Sequence, residues 1–369
     1  MTKIGVIGVG KLGICFALNA EQKGFDVIGV DVNIDLVAAL NSRDIITDEP
    51  LVKDFLATAN QLEAHTSLQS VIDDDISLLF LFVATPSLAD GGYDHGQIDR
   101  IAGQLIEIGL RNNPIQLIVG CTTMPGYCDL LANRLLSYNY HVSYCPEFIA
   151  QGSIMRNQVM PDQVLIGEAS YNSGNIIQEF YTQFCDNSPV FCRMDRISAE
   201  IAKIATNCFL TTKISFANSI GDLAVKAGAN PEKILAAIGS DSRIGSKYLG
   251  YGYGFGGPCF PRDNRALGKF ADESGYELLL SKATDEVNRR HLDFQVKQAL
   301  DNNDETITFD YVSYKKDSTI LEESQQLALA IQLARAGKKV IIRERASIIR
   351  FLDVEFSGLF ILKEGLHQH

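Results

Sequence analysis

The sequence predicts an α/β protein in three parts. These are an N-terminal doubly wound parallel sheet, a central domain around one long helix, and a small, reduced C-terminal α/β domain. Three observations carry this reading. Short continuous apolar runs alternate with helix-length amphipathic stretches up to residue 190. From Ser198 to Ala227 there is no proline and only one glycine, Gly221. A polar run, Asp301–Glu305, then precedes a last strand–helix–strand pattern. A chain of 369 residues accommodates two or three domains at about 100–200 residues each, placed here at 1–196, 197–300 and 301–369.

The elements follow in order. Lys3–Gly8 is a short apolar run, a helical pattern continues to Lys23, and Asp26–Val30 is a second apolar run ending at Asp31. A continuous apolar strand beside a crossover helix implies a parallel sheet covered on both faces. Ile76–Val83, Ile115–Val119, Val142–Tyr144 and Val164–Ile166 are further strand candidates. In the long helix Ile201, Ile204, Ala205, Cys208, Phe209, Phe216, Ile220 and Leu223 fall on one face, with Ser198 as N-cap and Glu200 in the first turn. At 1.5 Å per residue, about 30 residues span roughly 45 Å. Such a helix joins domains or packs against a second copy of itself. Helical patterning returns at Pro231–Ile238, Arg262–Glu273 and Tyr276–Ala299. After the linker come a strand at Ile307–Ser313, a helix at Leu321–Ala336 stopped by Gly337, and a strand at Lys339–Arg343. The last stretch has room for about two βαβ units.

Composition narrows the function classes. The chain has 33 basic and 45 acidic side chains, a formal net charge of −12, and is 46% hydrophobic. Nothing supplies the broad positive field that nucleic acids or anionic membranes require. An anionic small molecule needs only local donors. The longest apolar run, Leu78–Ala84, is far short of the ~20 residues that cross a bilayer. Met1 is followed within three residues by a strand-like run without the pattern of a signal peptide. Cys15, Cys121, Cys128, Cys145, Cys185, Cys192, Cys208 and Cys259 form no CxxC pair and have no metal-ligand spacing with a histidine. No metal site is expected, and a reduced, cytoplasmic compartment is.

Gly8-Val9-Gly10-Lys11-Leu12-Gly13 matches GxGxxG and sits between a strand and a helix. Asp31 ends the next strand, 18 residues after Gly13. This is the context of a Rossmann-type dinucleotide site. The glycines serve a turn, the close approach of a pyrophosphate and helix–strand packing. The helix N-terminus offers N–H donors and a partial positive charge. Asp31 accepts from ribose hydroxyls and repels a 2′-phosphate, favouring NAD over NADP.

A second constellation suits covalent chemistry. Gly250-Tyr251-Gly-Tyr-Gly254-Phe255-Gly256-Gly257 holds five glycines in eight residues and leads to Cys259. A helix expected from Pro261 places that cysteine at a helix N-terminus, where a thiolate is stabilised. The glycines are expected to let a ligand approach the backbone. Asp263 lies one turn on. Lys203 and Asn207 share a helix face and could aim a cation and an amide at an oxyanion. Glu147 follows a strand end, where an α/β enzyme places a base.

Taken together, residues 1–330 resemble the UDP-glucose/GDP-mannose dehydrogenase family. The resemblance rests on GVGKLG, VATPSLADGGYDHGQI (83–98), CTTMPG (121–126), CPEFIAQGSI (145–154), EIAKIATNCFLTTKISFANSI (200–220), SRIG (242–245) and GFGGPCFPRD (254–263), all in the family's order. It implies a two-fold NAD-dependent oxidation of a sugar's primary alcohol to a carboxylate. Cys259 would carry a thiohemiacetal and then a thioester. Lys203 and Asn207 would stabilise oxyanions. Asp263 with Thr123 would hold the water and orient Lys203, and Glu147 would act as base. Gly8–Gly13, Asp31, Thr85, Pro86 and Thr123 would line the NAD site. Glu147, Phe148, Ile149, Gln151, Lys203, Asn207, the loop Gly250–Gly256 and Lys315 would contact a nucleotide-sugar substrate. Arg243 would reach the neighbouring subunit's site, implying a homodimer on the long helix. Gln151 stands where many members carry a second Glu. In the third-domain motif Tyr311 replaces a Gly and Glu322 an Arg. Two other readings share features: a single-step β-hydroxyacid dehydrogenase, which needs no nucleophilic cysteine, and a non-catalytic NAD-binding regulatory protein.

Overall fold

The computed structural model describes residues 2–72, 76–149, 152–316 and 318–365. It divides into two compact units, Met1–Lys203 and Ile204–His369. The first unit contains β1 (Lys3–Ile7), α1 (Lys11–Gln22), β2 (Asp26–Val30), α2 (Ile34–Asn41), α3 (Val52–Thr58), β3 (Leu62–His65), β4 (Leu78–Leu81), α4 (Gly96–Ile108), β5 (Ile115–Val119), α5 (Tyr127–Leu135), β6 (Tyr140–Tyr144), α6 (Ile154–Val159), β7 (Gln163–Gly167), α7 (Tyr171–Phe184) and β8 (Val190–Met194). The helix α8 (Arg196–Lys226) begins in this unit and continues into the second. There it is followed by α9 (Pro231–Gly239), α10 (Phe260–Glu273), α11 (Leu279–Asp301), β9 (Thr306–Phe309), α12 (Gln325–Arg335), β10 (Lys339–Glu344), α13 (Ala346–Glu355) and β11 (Ile361–Glu364).

Among the described residues, eight strands form the first unit's sheet in the order β3-β2-β1-β4-β5-β6-β7-β8. All neighbours run parallel except β6 and β7, which meet antiparallel where Tyr144 faces Gly167. The predicted doubly wound sheet is thus present. The strand order reverses at β1 and β4, so the crevice beyond their C-terminal ends is the topological switch point. Alternate residues serve opposite cores: Ile4, Val6, Phe80 and Phe82 pack with α1 and α7 on one face. Ile7, Leu79, Leu81, Leu117 and Val119 pack with α4 and α5 on the other. Burial on both sides is why these strands read as unbroken apolar runs.

Two edge-region strands, β3 and β8, escaped the sequence pattern. In β3 only Leu62 and Ala64 are buried, with Glu63 exposed, and in β8 no residue is buried. A strand lacking two covered faces shows no apolar run.

In the second unit, β11-β10-β9 form a parallel sheet with α12 and α13 as crossovers, giving two overlapping βαβ units. The strand expected to reach Ser313 stops at Phe309. The backbone N–H groups of Val312 and Ser313 instead donate to the buried Glu344 carboxylate at 3.2 and 3.3 Å. The next helix begins at Gln325 rather than Leu321. Ser324 caps it, accepting from Leu327 N–H at 3.2 Å and donating to the Val312 carbonyl at 2.7 Å.

The long helix differs from expectation in two ways. Its cap is Asp195, not Ser198. Asp195 accepts from the Ser198 N–H at 2.9 Å and from its hydroxyl at 2.8 Å, and these bonds hold the Asp195 carboxyl below its usual range. The apolar residues also do not form one buried face. Ile204 and Cys208 are buried, but Phe209, Phe216 and Leu223 are 64%, 47% and 63% exposed. The buried side is completed by polar Thr211, Ser215 and Asn218, which a hydrophobicity pattern does not register.

Candidate active site

Within the first unit, the turn from β1 to α1 has the shape of a dinucleotide cradle. Gly8 has φ +84° and its N–H donates to the Val30 carbonyl at 2.7 Å. A Cβ on Gly8 would strike the Phe82 carbonyl, and one on Gly13 the Gly8 carbonyl. A Cβ on Gly10 would have no protein atom within 4 Å. The first and third glycines are therefore demanded by packing, while the second leaves space outside the protein. Gly10 is the N-cap of α1, which starts at Lys11 and Leu12, so the first N–H groups of that helix point toward this space. Val9 is fully buried. Asp31 follows β2, accepting from the Asn33 N–H at 3.0 Å. The residues fit a dinucleotide.

Thr85 and Pro86 follow β4, and Thr123 follows β5, so they line the same strand ends. Thr85 donates to the Thr122 carbonyl at 2.8 Å. Thr123 is fully buried and gives its hydroxyl proton to Glu200 at 2.8 Å. Glu200 is also fully buried; it accepts from the backbone of Gly126 at 2.6 Å and Cys128 at 2.9 Å. With α8 starting at Arg196, Glu200 lies past the first turn rather than in it, and serves as the cap of α5 and the partner of Thr123. The Thr123 hydroxyl oxygen also lies 3.7 Å from the Cys128 sulfur. His95 stacks on Tyr127 with ring centroids 3.8 Å apart and accepts from the Met124 N–H at 3.2 Å. Burial lowers its pKa, which keeps that acceptor free.

Glu147, Phe148 and Ile149 follow β6. Glu147 is half-buried as a residue, but its Oε1 is sealed from solvent and has no hydrogen-bond partner among the described residues. Burial pushes its carboxyl up to about 7, with the Lys203 charge pulling the other way. Lys203 is buried; its amine donates to the Glu147 carbonyl at 2.6 Å and lies 4.0 Å from the Phe148 ring centroid. A cation on an aromatic face is held in place as well as charge-stabilised. Downstream, the buried Glu49 takes the N–H groups of Gly152 and Ile154 at 2.9 and 2.6 Å, fastening the end of this loop. Gln151 lies outside the described residues.

Within the second unit, Cys259 is the N-cap of α10 and Pro261 occupies the second helical position, one residue later than predicted. Of the eight cysteines, six are buried, Cys192 is intermediate and Cys259 alone is exposed. Asp263 is fully buried. Its carboxylate takes the Asn207 amide at 2.6 Å and Arg262 at 2.9 Å, and its backbone N–H donates to the Cys259 carbonyl at 2.8 Å. The structure thus pairs Asp263 with Asn207, one helical turn after Cys259.

The glycine loop corrects one expectation. A Cβ on Gly254, Gly256 or Gly257 would strike Asn288, the Glu323 carbonyl or the Tyr314 ring, respectively. Only Gly250 and Gly252 face open space, so three of the five glycines serve packing rather than ligand approach. Phe255 is buried. Its N–H and carbonyl are both clamped by the Asn288 amide at 2.9 Å. Arg243 is exposed and paired to Asp241 at 2.7 Å, and Lys315 is exposed in the turn after β9.

Comparison with known proteins agrees with this geometry. Residues 2–185 match the NAD binding domain of the UDP-glucose/GDP-mannose dehydrogenase family, and residues 197–290 match its central domain. A UDP-glucose 6-dehydrogenase of Pseudomonas aeruginosa is 30% identical over 92% of this chain and 78% of its own length. This chain belongs to the UDP-glucose/GDP-mannose dehydrogenase family. A Haloferax volcanii UDP-glucose 6-dehydrogenase is 28% identical over 96% of this chain and 87% of that protein. The solved structure of a UDP-glucose dehydrogenase from Pyrobaculum islandicum superposes with a TM-score of 0.87 at 26% identity, covering 99% of this chain and 86% of that one. As a family member the chain is an NAD-dependent oxidoreductase. Among the described residues, no helix is long and apolar enough to cross a membrane.

Sequence reasoning missed Glu200 as a partner of Thr123, Glu49 as a fastener, and Asn288 as a clamp. Nothing marked the last, since Asn288 shares α11 with other uncharged polar residues, among them Ser281, Thr284 and Gln295.

Proposed function

We propose that this chain oxidises the primary alcohol of a nucleotide sugar of the UDP-glucose type to the carboxylate, in two steps at one site. The observation that carries the reading is the exposed Cys259 at the start of α10, one turn before the Asp263 that Asn207 holds, on a chain whose other cysteines are buried or half-buried. The two relatives named above, both UDP-glucose 6-dehydrogenases, support it.

NAD, held by Gly8–Gly13, Asp31, Thr85, Pro86 and Thr123, supplies a hydride acceptor for each oxidation. In the first, the alcohol gives up a hydride and its hydroxyl proton and becomes the aldehyde. The Cys259 thiolate then adds to the aldehyde carbon, and the resulting oxyanion takes a proton to give a thiohemiacetal. Loss of a second hydride and the hydroxyl proton leaves a thioester. The Lys203 ammonium and the Asn207 amide stabilise the oxyanions. Glu147 removes a proton from water, hydroxide adds to the thioester carbonyl, and the C–S bond breaks with return of the thiolate to Cys259. A base with a pKa about 7 is half-ionised at neutral pH, the poise that general base catalysis favours. The net reaction consumes one water and two NAD and yields a carboxylate, two NADH and three protons.

The three-stranded C-terminal unit with Lys315 takes the nucleotide half of the substrate, and the site also involves Glu147–Gln151 and the loop Gly250–Gly256. The chain works in a reducing, cytoplasmic compartment, consistent with eight cysteines that form no disulfide. It acts as a homodimer through α8, in which Arg243 approaches the partner's site. The test is the NADH yield from limiting UDP-glucose and a panel of related sugar nucleotides. Two NADH per sugar, no second NADH with Cys259→Ser, and a hydroxylamine-sensitive adduct on Cys259 in Glu147→Gln are expected. One NADH per substrate with a fully active Cys259→Ser would instead indicate a single-step dehydrogenase.

A further inference from the structure

The glycine loop that the proposed function assigns to the substrate is held by side chains from two helices of its own unit. On α8, Asn218 accepts from the Gly252 N–H at 3.1 Å and donates to the Tyr253 carbonyl at 3.2 Å. On α11, Asn288 clamps Phe255. Between these anchors lies His291, which is 2% exposed. Its Nδ1 is 3.0 and 2.9 Å from the two Asp222 carboxylate oxygens, and its Nε2 is 2.6 Å from the Gly252 carbonyl oxygen.

Both partners can only accept. A neutral imidazole has one N–H, so satisfying both requires a ring with two. The surroundings are arranged for such a cation. Asp222 faces it from α8. Tyr251, from the loop, meets its ring edge-on at 5.7 Å and donates its hydroxyl to Asp222 at 2.9 Å. Burial and that hydrogen bond to Asp222 keep the Tyr251 phenol protonated. The Tyr251 ring occupies the place a side chain at Gly221 would fill, so the single glycine of the long helix is explained by this cluster. Gln295, one turn beyond His291, adds a second donor to the Gly252 carbonyl at 3.1 Å.

We propose that His291 is a positioning residue: a doubly protonated ring that ties the Gly252 carbonyl of the substrate loop to the Asp222 carboxylate of α8. The role in substrate binding rests on the proposed function, whereas the tie itself does not. A charge-assisted hydrogen bond in a buried site is stronger than a neutral one. Asn218, Asn288 and Gln295 remain as anchors, so removing His291 loosens the loop without unfolding the unit.

The experiment compares the full chain with His291→Ala and His291→Gln by hydrogen exchange and by steady-state kinetics with UDP-glucose and NAD. In His291→Ala the backbone amides of Gly252–Phe255 exchange about tenfold faster, a local loss of about 1.4 kcal/mol. The KM for UDP-glucose rises about tenfold, while kcat and the KM for NAD stay within about twofold. His291→Gln, which keeps one donor, recovers part of both effects. Unchanged loop exchange in His291→Ala overturns the tie. Faster exchange across the whole second unit with a matching fall in kcat shows a role in general stability and also overturns it. A parent chain that oxidises no sugar nucleotide overturns the proposed function and the substrate role, while the exchange data still decide whether His291 holds the loop.

Discussion

Two side chains show how local environment sets reactivity. Glu147 carries a carboxyl oxygen sealed from solvent without a hydrogen-bond partner among the described residues, and burial raises its pKa to about 7. A carboxyl whose folded pKa lies above its unfolded value binds more protons when folded. Between about pH 4.3, the unfolded value, and pH 7 the folded chain therefore loses stability as pH rises. Glu147→Gln is expected to raise the melting temperature more at pH 8 than at pH 5, as measured by calorimetry. The same variant should lose thioester hydrolysis; in the parent that step should rise with pH and level off above pH 7, as read by stopped-flow release of product. Equal effects on melting at the two pH values would remove the basis for Glu147 as a poised base. For Cys259 the expectation comes from exposure. Brief treatment of the native chain with iodoacetamide should label this thiol first and abolish activity in step, as followed by peptide mass spectrometry. Prior labelling of Cys192 with activity lost would point away from Cys259.

At the scale of elements, the turn between β1 and α1 separates packing from binding. Gly13→Ala places a methyl group against the Gly8 carbonyl, so it should destabilise the first unit. Gly10→Ala adds a methyl group where no protein atom lies within 4 Å. It should leave the melting temperature unchanged and weaken NAD binding about tenfold or more, the cost of blocking a close backbone approach. Calorimetric titration of NAD into both variants distinguishes the effects, and full NAD affinity in Gly10→Ala would contradict the assignment of this cradle. The start of α8 offers a milder case. Asp195→Ala removes a cap and should cost about 1 kcal/mol in urea unfolding, whereas Ser198→Ala should cost less, because Ser198 only donates to that cap.

At the scale of the whole molecule, α8 leaves an apolar stripe exposed. Phe209, Phe216 and Leu223 recur every seven residues and stand 64%, 47% and 63% exposed, a stripe suited to pairing with another helix. The proposed homodimer buries this stripe. Light scattering should give the parent twice the chain mass, and the pair Phe209→Asp with Phe216→Asp should halve it. A monomeric parent would leave the stripe without that role.

Much of this protein is legible in its amino-acid sequence. Strands β2 and β5 were predicted residue for residue, since burial on both faces writes an apolar run directly into the chain. The GxGxxG turn, Asp31 and the cysteine at a helix start were likewise visible, because each depends on residues close in sequence. What the sequence did not reveal depends on partners far apart in the chain. Glu200 reaches Thr123 from 77 positions away, Glu49 reaches Gly152 from 103, and His291 reaches Asp222 from 69. A buried polar residue looks the same in sequence as a solvated one, so periodicity placed Phe209 inside α8 and left Asn218 outside. Local order, including the cysteine at a helix start, was therefore determined by the sequence alone. Only the tertiary structure decided which polar groups are withdrawn from water and paired, because pairing is a property of the folded contacts and not of neighbours along the chain.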